Sequence, residues 1–295
     1  MRRATVVASG FSFLEGPRWH DGRLYVSDFY THRVLAIDER GSVSPICEIP
    51  GQPSGLGFAP DGSLLVVSMK DRRLLRLRGS RTEEVADLSG LTDSLCNDML
   101  VDPSGYAYVG NFGWDAAPDA PVRTTSLFGV DASGAARRVA DDLIFPNGMA
   151  LTPDGRTLLV GEPFASRITA FDVSAPGVLE NRRVWASFAP SPHATVREAV
   201  NRAVPLPDGI ALDADGALWI GDAAGQAALR IGAGGTVLER IDTSPLAVFA
   251  VALGGADRRT LYMCASPPLL SNDPAVEHQA VLLACRVDVP GAGLP

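Results

Sequence analysis

Three short segments of this chain place a small oxygen-bearing side chain ahead of an apolar alternation that ends in a tight turn. In CNDMLVDPSG the residue is Asn97, in PNGMALTPDG it is Asn147, and in PDGIALDADG it is Asp208. Each stands eight residues before the turn glycine, at Gly105, Gly155 and Gly216. Glu15 stands seven before Gly22, in a turn one residue shorter, and Ser54 stands eight before Gly62. In a sixth segment, aligning RTLY at 259–262 with RTLL at 156–159 puts Ala250 in the matching place. If these are equivalent strands around one axis, Glu15, Asn97, Asn147 and Asp208 converge there, with Ser54 and Ala250 leaving room beside them. Two carboxylates and two amide carbonyls form a hard, all-oxygen donor set of the kind that suits Ca²⁺, Mg²⁺ or Mn²⁺. Zn²⁺ stays open, although no His or Cys joins the set. Without a cation, two clustered carboxylates repel, and burial penalises them further. Taken singly, Asn147 or Asp208 is explained by turn formation, since Asn-Gly and Asp-Gly shape strand entries. The shared register, and an acid in Glu-Gly-Pro where no turn asks for one, point to one divalent cation.

Such convergence needs a radial repeat, and the chain contains one. Units begin near Trp19, Ala59, Val101, Thr152, Asp213 and, more weakly, Gly255. Each reads as an apolar strand, a turn with Asp-Gly or Ser-Gly, a second apolar strand, a polar loop and a third strand. Asp-Gly between two such runs is a hairpin signal, because the turn needs positive φ. Val, Ile, Leu and aromatic residues fill the strands, and only 193–203 has a pattern suited to a turn or two of helix. Recurring units of three or four strands predict an all-β, six-bladed β-propeller spanning 1–295 as one domain, with the metal site in its central channel. The amino-terminal ATVVASG is expected to close the ring as the outermost strand of the last blade. Two stacked jelly-roll sheets are the alternative, but they give no reason for an in-phase motif.

Composition narrows the function. The chain has 295 residues, 46% hydrophobic and 20% charged, with a net charge of −8. No basic face is visible, which argues against a nucleic-acid partner. No apolar run approaches the length of a membrane span, and no signal-peptide core follows the first arginines, so a cytoplasmic protein is expected. Cys47, Cys96, Cys264 and Cys285 form no CxxC pair and read as buried free thiols.

The ordered set FLEGPRW, CNDMLVDPSG, PNGMALTPDG and PDGIALDADG resembles the SMP-30/gluconolactonase/luciferin-regenerating-enzyme family over essentially the whole chain. That resemblance implies a six-bladed propeller that binds one divalent cation and hydrolyses lactones. Glu15, Asn147 and Asp208 match the family's metal ligands. Asn97 matches its asparagine close to metal and substrate, and Asp208 also matches its proposed general base. One position departs from the pattern: gluconolactonase-like members commonly carry a substrate-contacting arginine two residues before this asparagine, and here it is Leu95. A more apolar ring than a polyhydroxylated sugar lactone is therefore expected.

Loops between second and third strands rise at the same mouth as the cation and offer Phe29, Tyr30, Met69, Phe112, Trp114 and Phe164 as pocket walls. The segment 176–206 between the fourth and fifth blades is a candidate lid. Asp98 is expected to point into its blade and bond backbone, because it follows Asn97 on a strand. Glu162, Asp222 and the histidines read mainly as solvated, with His193 the one histidine closest to a role at the site. The expected activity is metal-assisted lactone hydrolysis on a small molecule by a monomer or weak homo-oligomer. Phosphotriester hydrolysis, dehydration or elimination at the same ion, or a non-enzymatic calcium- or protein-binding propeller, are the rival readings.

Overall fold

A computed structural model describes residues 2–79, 81–115 and 117–293. Six four-stranded antiparallel sheets are arranged as the blades of a propeller, as expected. Blades 1 to 5 are consecutive meanders, with innermost strands Leu14–His20, Pro53–Phe58, Cys96–Val101, Met149–Leu151 and Pro207–Leu212. The hairpin glycines take the positive φ that the Asp-Gly signals require, for example +71° at Gly155 and +78° at Gly216. Blade 6 is composite. Its strands Ala247–Gly254, Thr260–Ser266 and Ala280–Arg286 are completed by Thr5–Phe11, which pairs antiparallel with the last of them. The expected closure by the amino-terminal strand is thus present.

Burial follows radial position. Second strands such as Leu64–Ser68, Ala107–Asn111 and Leu218–Asp222 are buried throughout, since both faces of a blade meet a neighbour. Their sequences are correspondingly apolar on successive residues rather than alternating. The outermost strands, for example Val43–Glu48 and Arg81–Asp87, carry the exposed polar positions. Core packing lies between blades: Leu24 and Val26 of blade 1 meet Tyr262 and Cys264 of blade 6, and Val67 of blade 2 meets Met99 and Phe128 of blade 3. Each such fully buried side chain contributes about 1.5–3 kcal/mol of transfer free energy.

The four cysteines are free. The 193–203 pattern yields one short α-helix, Val196–Asn201, started by Thr195, whose Oγ1 accepts the Glu198 N–H at 3.1 Å. Among the described residues no helix is long and apolar enough to cross a membrane. At the far end of the channel the carboxy-terminal segment crosses the floor. There Ala292 N–H donates to Leu212 O at 2.9 Å and Gly291 N–H to Arg258 O at 2.9 Å.

Candidate metal centre

The inner strands share a defect at one height. Pairing with the second strand slips between Pro53 and Leu56, between Cys96 and Met99, and between Pro207 and Ile210. It slips also between Glu15 and Arg18 in blade 1, and between Val248 and Ala250 in blade 6. A bulge places two residues opposite one and re-aims the side chain it carries. Ser54, Asn97 and Asp208 sit within these slips and Glu15 at the edge of one, so the bulges turn them out of the pleat toward the axis. Asn147 precedes its short strand and is held by its backbone N–H donating to Gly161 O at 2.9 Å.

Glu15, Asn97, Asn147 and Asp208 are 5%, 4%, 3% and 8% exposed, so all four are buried at the hub. Asn147 Nδ2 donates to Asp208 Oδ1, joining blades 4 and 5. Ser54 Oγ donates to Asn97 Oδ1 at 3.3 Å, joining blades 2 and 3. Two polar atoms here are buried without a partner: the Asn147 carbonyl oxygen Oδ1 and the Asn97 amide nitrogen Nδ2. Burial, and then the Asp208 charge, push the Glu15 carboxyl well above its ordinary range. Burial and the Asp98 charge do the same to Asp208, against the opposing hydrogen bond from Asn147. Among the described residues no three of His, Cys, Asp and Glu form a metal-holding group. A cation here would therefore depend on the amides. The residues fit one: an acceptor without a donor and two carboxylates destabilised by burial and by neighbouring negative charge are what a bound divalent ion relieves.

Two expectations are corrected. Asp98 does not simply turn into its blade. The expected backbone bond is present, with Asp98 Oδ1 accepting from Met99 N–H at 2.8 Å. The slip between Cys96 and Met99 breaks strand alternation, however, and the same oxygen also accepts from Arg18 Nη2 of blade 1 at 2.9 Å, beside the hub. Ala250 is not the sixth spoke. A Cβ on Gly209 would meet Ala250 Cβ at 2.5 Å, so Ala250 matches the glycine after the spoke and Phe249 matches Asp208. The blade 6 hairpin carries one residue more, as Leu253↔Leu261 against Leu151↔Leu158 shows.

Residues 13–266 match the family model described as the SMP-30/Gluconolactonase/LRE-like region. The chain belongs to this family. Among its curated relatives, 6-deoxy-6-sulfogluconolactonase of Pseudomonas putida is 29% identical over 95% of this chain and 93% of its own length. Pentonolactonase XacC of Haloferax volcanii is 28% identical over 84% of this chain and 80% of its own length. The solved luciferin-regenerating enzyme superposes with a TM-score of 0.81 at 20% identity, covering 100% of this chain and 99% of that one, which bears on the fold alone.

In this SMP-30/gluconolactonase member the predicted pocket walls separate into groups. Leu95, Phe112 and Trp114 line one groove together with Ser94, Asp115 and Arg123. Trp114 and Phe164 also stack edge-on at 5.6 Å, and both pack on Phe145. Phe29 lies on the opposite side, 5.4 Å from Phe13, which in turn lies 4.7 Å from Phe249. Tyr30 is 40% exposed at the rim, while Met69 is buried apart from the aromatic cluster. Sequence reasoning missed Phe13, Phe145 and Phe249, which join this buried aromatic cluster from three different blades.

The insertion between blades 4 and 5 roofs this wall, with Val196 and Ala199 of the helix packing against Trp114, Phe145 and Phe164. It is clasped to the 112–122 loop: Val122 N–H donates to Ala194 O at 2.9 Å, and Arg197 pairs with Asp119 at 2.6 and 2.9 Å. His193 anchors its root, with its N–H on Phe164 O at 3.0 Å and its Nε2 2.7 Å from Ser166 Oγ. His193 is therefore buried structure, not a solvated side chain. Glu162 and Asp222 are corrected likewise. Glu162 is fully buried and takes Arg167 at 2.7 and 2.8 Å, and Asp222 accepts the N–H of Leu206 at 3.1 Å.

Proposed function

We propose that this chain is a divalent-cation-dependent hydrolase that opens a lactone or related cyclic ester at the hub of the propeller. The observation that carries the reading is that two buried amide atoms of the hub, Asn147 Oδ1 and Asn97 Nδ2, have no partner while Asn147 Nδ2 holds Asp208 Oδ1. Glu15, Asn147 and Asp208, with Asn97 at their side, would hold one cation, of which Ca²⁺, Mn²⁺, Mg²⁺ and Zn²⁺ are the candidates. When bound, such an ion supplies Lewis acidity toward a carbonyl oxygen and acidifies water.

The chain's own residues do the rest. Asn147 occupies Asp208 Oδ1, which leaves Oδ2 to take the proton of the attacking water. Asn97 Nδ2 is a preoriented donor for the oxygen that becomes negative as the carbonyl turns tetrahedral. The ring oxygen then leaves as the hydroxyl of a hydroxy acid, recovering the proton from Asp208. Phe249, at the place in blade 6 that Asp208 takes in blade 5, packs on Phe13 at 4.7 Å and gives the hub an apolar neighbour that would keep competing water from the base.

Both curated relatives named above are lactonases by name, which supports this reaction class for the present chain. With Leu95 in place of an arginine, the ring preferred here carries fewer hydroxyls than theirs. The deciding experiment is acid release by metal-stripped protein, with each cation added in turn, against sugar, aliphatic and aromatic lactones. Turnover restored by a cation supports the reading; tight cation binding with no turnover on any lactone would remove lactone hydrolysis.

A further inference from the structure

One charged pair beneath the hub is used by nothing described so far. In five blades the residue after the spoke is minimal: Gly16, Gly55, Gly148, Gly209 and Ala250. Space enforces this, because a Cβ on Gly16 would lie 2.7 Å from Ser54 O, and one on Gly148 2.5 Å from Asp208 O. Blade 3 alone has a large side chain there, Asp98. It meets Arg18 from blade 1, and the two side chains are 4% and 8% exposed. Arg18 also donates to Pro17 O at 2.8 Å and to Met99 O, so its guanidinium is fixed. A buried ion pair costs several kcal/mol per ion to desolvate and is no stability device by default. Its position matters more: the Asp98 charge acts on both Glu15 and Asp208, and the Arg18 charge acts on Glu15 in the opposite sense. With all three ionised, Glu15, Asp208 and Asp98 bring three negative charges and Arg18 one positive. The balance matches a doubly charged ion.

We propose that Asp98 and Arg18 are positioning residues that set the strength and charge selectivity of cation binding without touching the ion. Asp98 adds attraction through space, and Arg18 trims it to the charge of a divalent species. This rests on reading the hub as a cation site.

The test is calorimetric titration of metal-stripped protein with Ca²⁺ and La³⁺ at pH 8, with circular dichroism confirming the fold. Asp98→Asn should weaken Ca²⁺ roughly tenfold and La³⁺ more, since the Coulomb term scales with ionic charge. Arg18→Met should do the reverse, tightening Ca²⁺ several-fold and La³⁺ more. The double variant leaves no unpaired buried charge and keeps the measurement open if Arg18→Met does not fold. It should bind Ca²⁺ within a few-fold of wild type and tighter than Asp98→Asn. A pair that merely braces the two strands gives weaker binding in every variant, the double being at least as weak as Asp98→Asn, and that result would overturn the proposal. Wild-type protein that binds no divalent cation would instead overturn the cation site itself, whatever the variants do.

Discussion

Asn147 turns its amide nitrogen to Asp208 Oδ1 and its carbonyl oxygen to a place where no donor reaches it. One short side chain thus fixes the orientation of the candidate base and presents a bare acceptor beside it. A carboxylate held this way loses little freedom when a substrate arrives, and its second oxygen is aimed by the first.

Asp208→Asn keeps the size and the burial of the side chain and removes its ability to take a proton. Turnover at saturating cation should fall about 10²–10⁴-fold with the fold retained, the thermal midpoint gaining less from added cation because a ligand is weakened. Initial rates together with a melting curve check both halves, and full activity in this variant would discard Asp208 as the base.

Glu15→Gln should lower cation affinity at least tenfold by titration calorimetry; an unchanged affinity removes Glu15 from the ligand set. The same carboxyls give metal-free protein a pH signature. Glu15 and Asp208 are both held above their ordinary range, so the folded metal-free chain binds protons that the unfolded chain has released. That stability is complete below the unfolded value near 4 and is lost as pH rises through the raised one. Stripped protein should therefore gain more in thermal midpoint from added cation at pH 8 than at pH 5.

His193 gives the opposite slope in cation-loaded protein. Burial lowers its pKa, so below about 6.5 the unfolded chain takes up a proton that the folded chain refuses. Stability from this residue is present above that pH and declines as pH falls toward the lowered value. In His193→Gln the loss of stability between pH 7 and pH 5 should be shallower than in wild type, measured by urea unfolding. An unchanged slope would show that His193 charges freely where it stands.

Gly55 tests the packing at the hub. A Cβ there would lie 2.3 Å from the Met99 backbone nitrogen and 2.7 Å from the Asp98 carbonyl carbon, both unable to move without shifting blade 3. Gly55→Ala should destabilise by about 1–3 kcal/mol, whereas Gly62→Ala is strained by a φ of +79° but meets nothing within 4 Å. Denaturant midpoints separate a crowding cost at Gly55 from a turn cost at Gly62.

The sequence showed what is local and repeated. Asp-Gly turns and continuous apolar strands mark each hairpin, and counting back from the turn glycine found Glu15, Asn97, Asn147 and Asp208. The count failed where a turn changed length, exchanging Phe249 for Ala250. Strand alternation failed at Asp98, because a bulge is a pairing event between two strands and leaves no mark in one. Glu162, Asp222 and His193 looked solvated because nothing local marks their strand ends and loop root as buried; Arg167 is the cross-strand neighbour of Glu162, while Leu206 and Ser166 reach Asp222 and His193 from other segments. The roof over the mouth was legible as a long insertion, but its clasp to Asp119 was not.

The composite sixth blade has a consequence for how the molecule assembles. Thr5 pairs with Ala284, so the first strand made must wait for nearly the whole chain before it finds its partner. Loop entropy grows slowly with length, so this contact costs little more than a shorter one at equilibrium, yet it arrives last in time. Until then blade 6 lacks its outermost strand, and the seam between blades 1 and 6 rests on contacts such as those of Leu24 and Val26 with Tyr262 and Cys264. A growing chain should consequently acquire cation affinity in a single late step as the ring locks, not blade by blade.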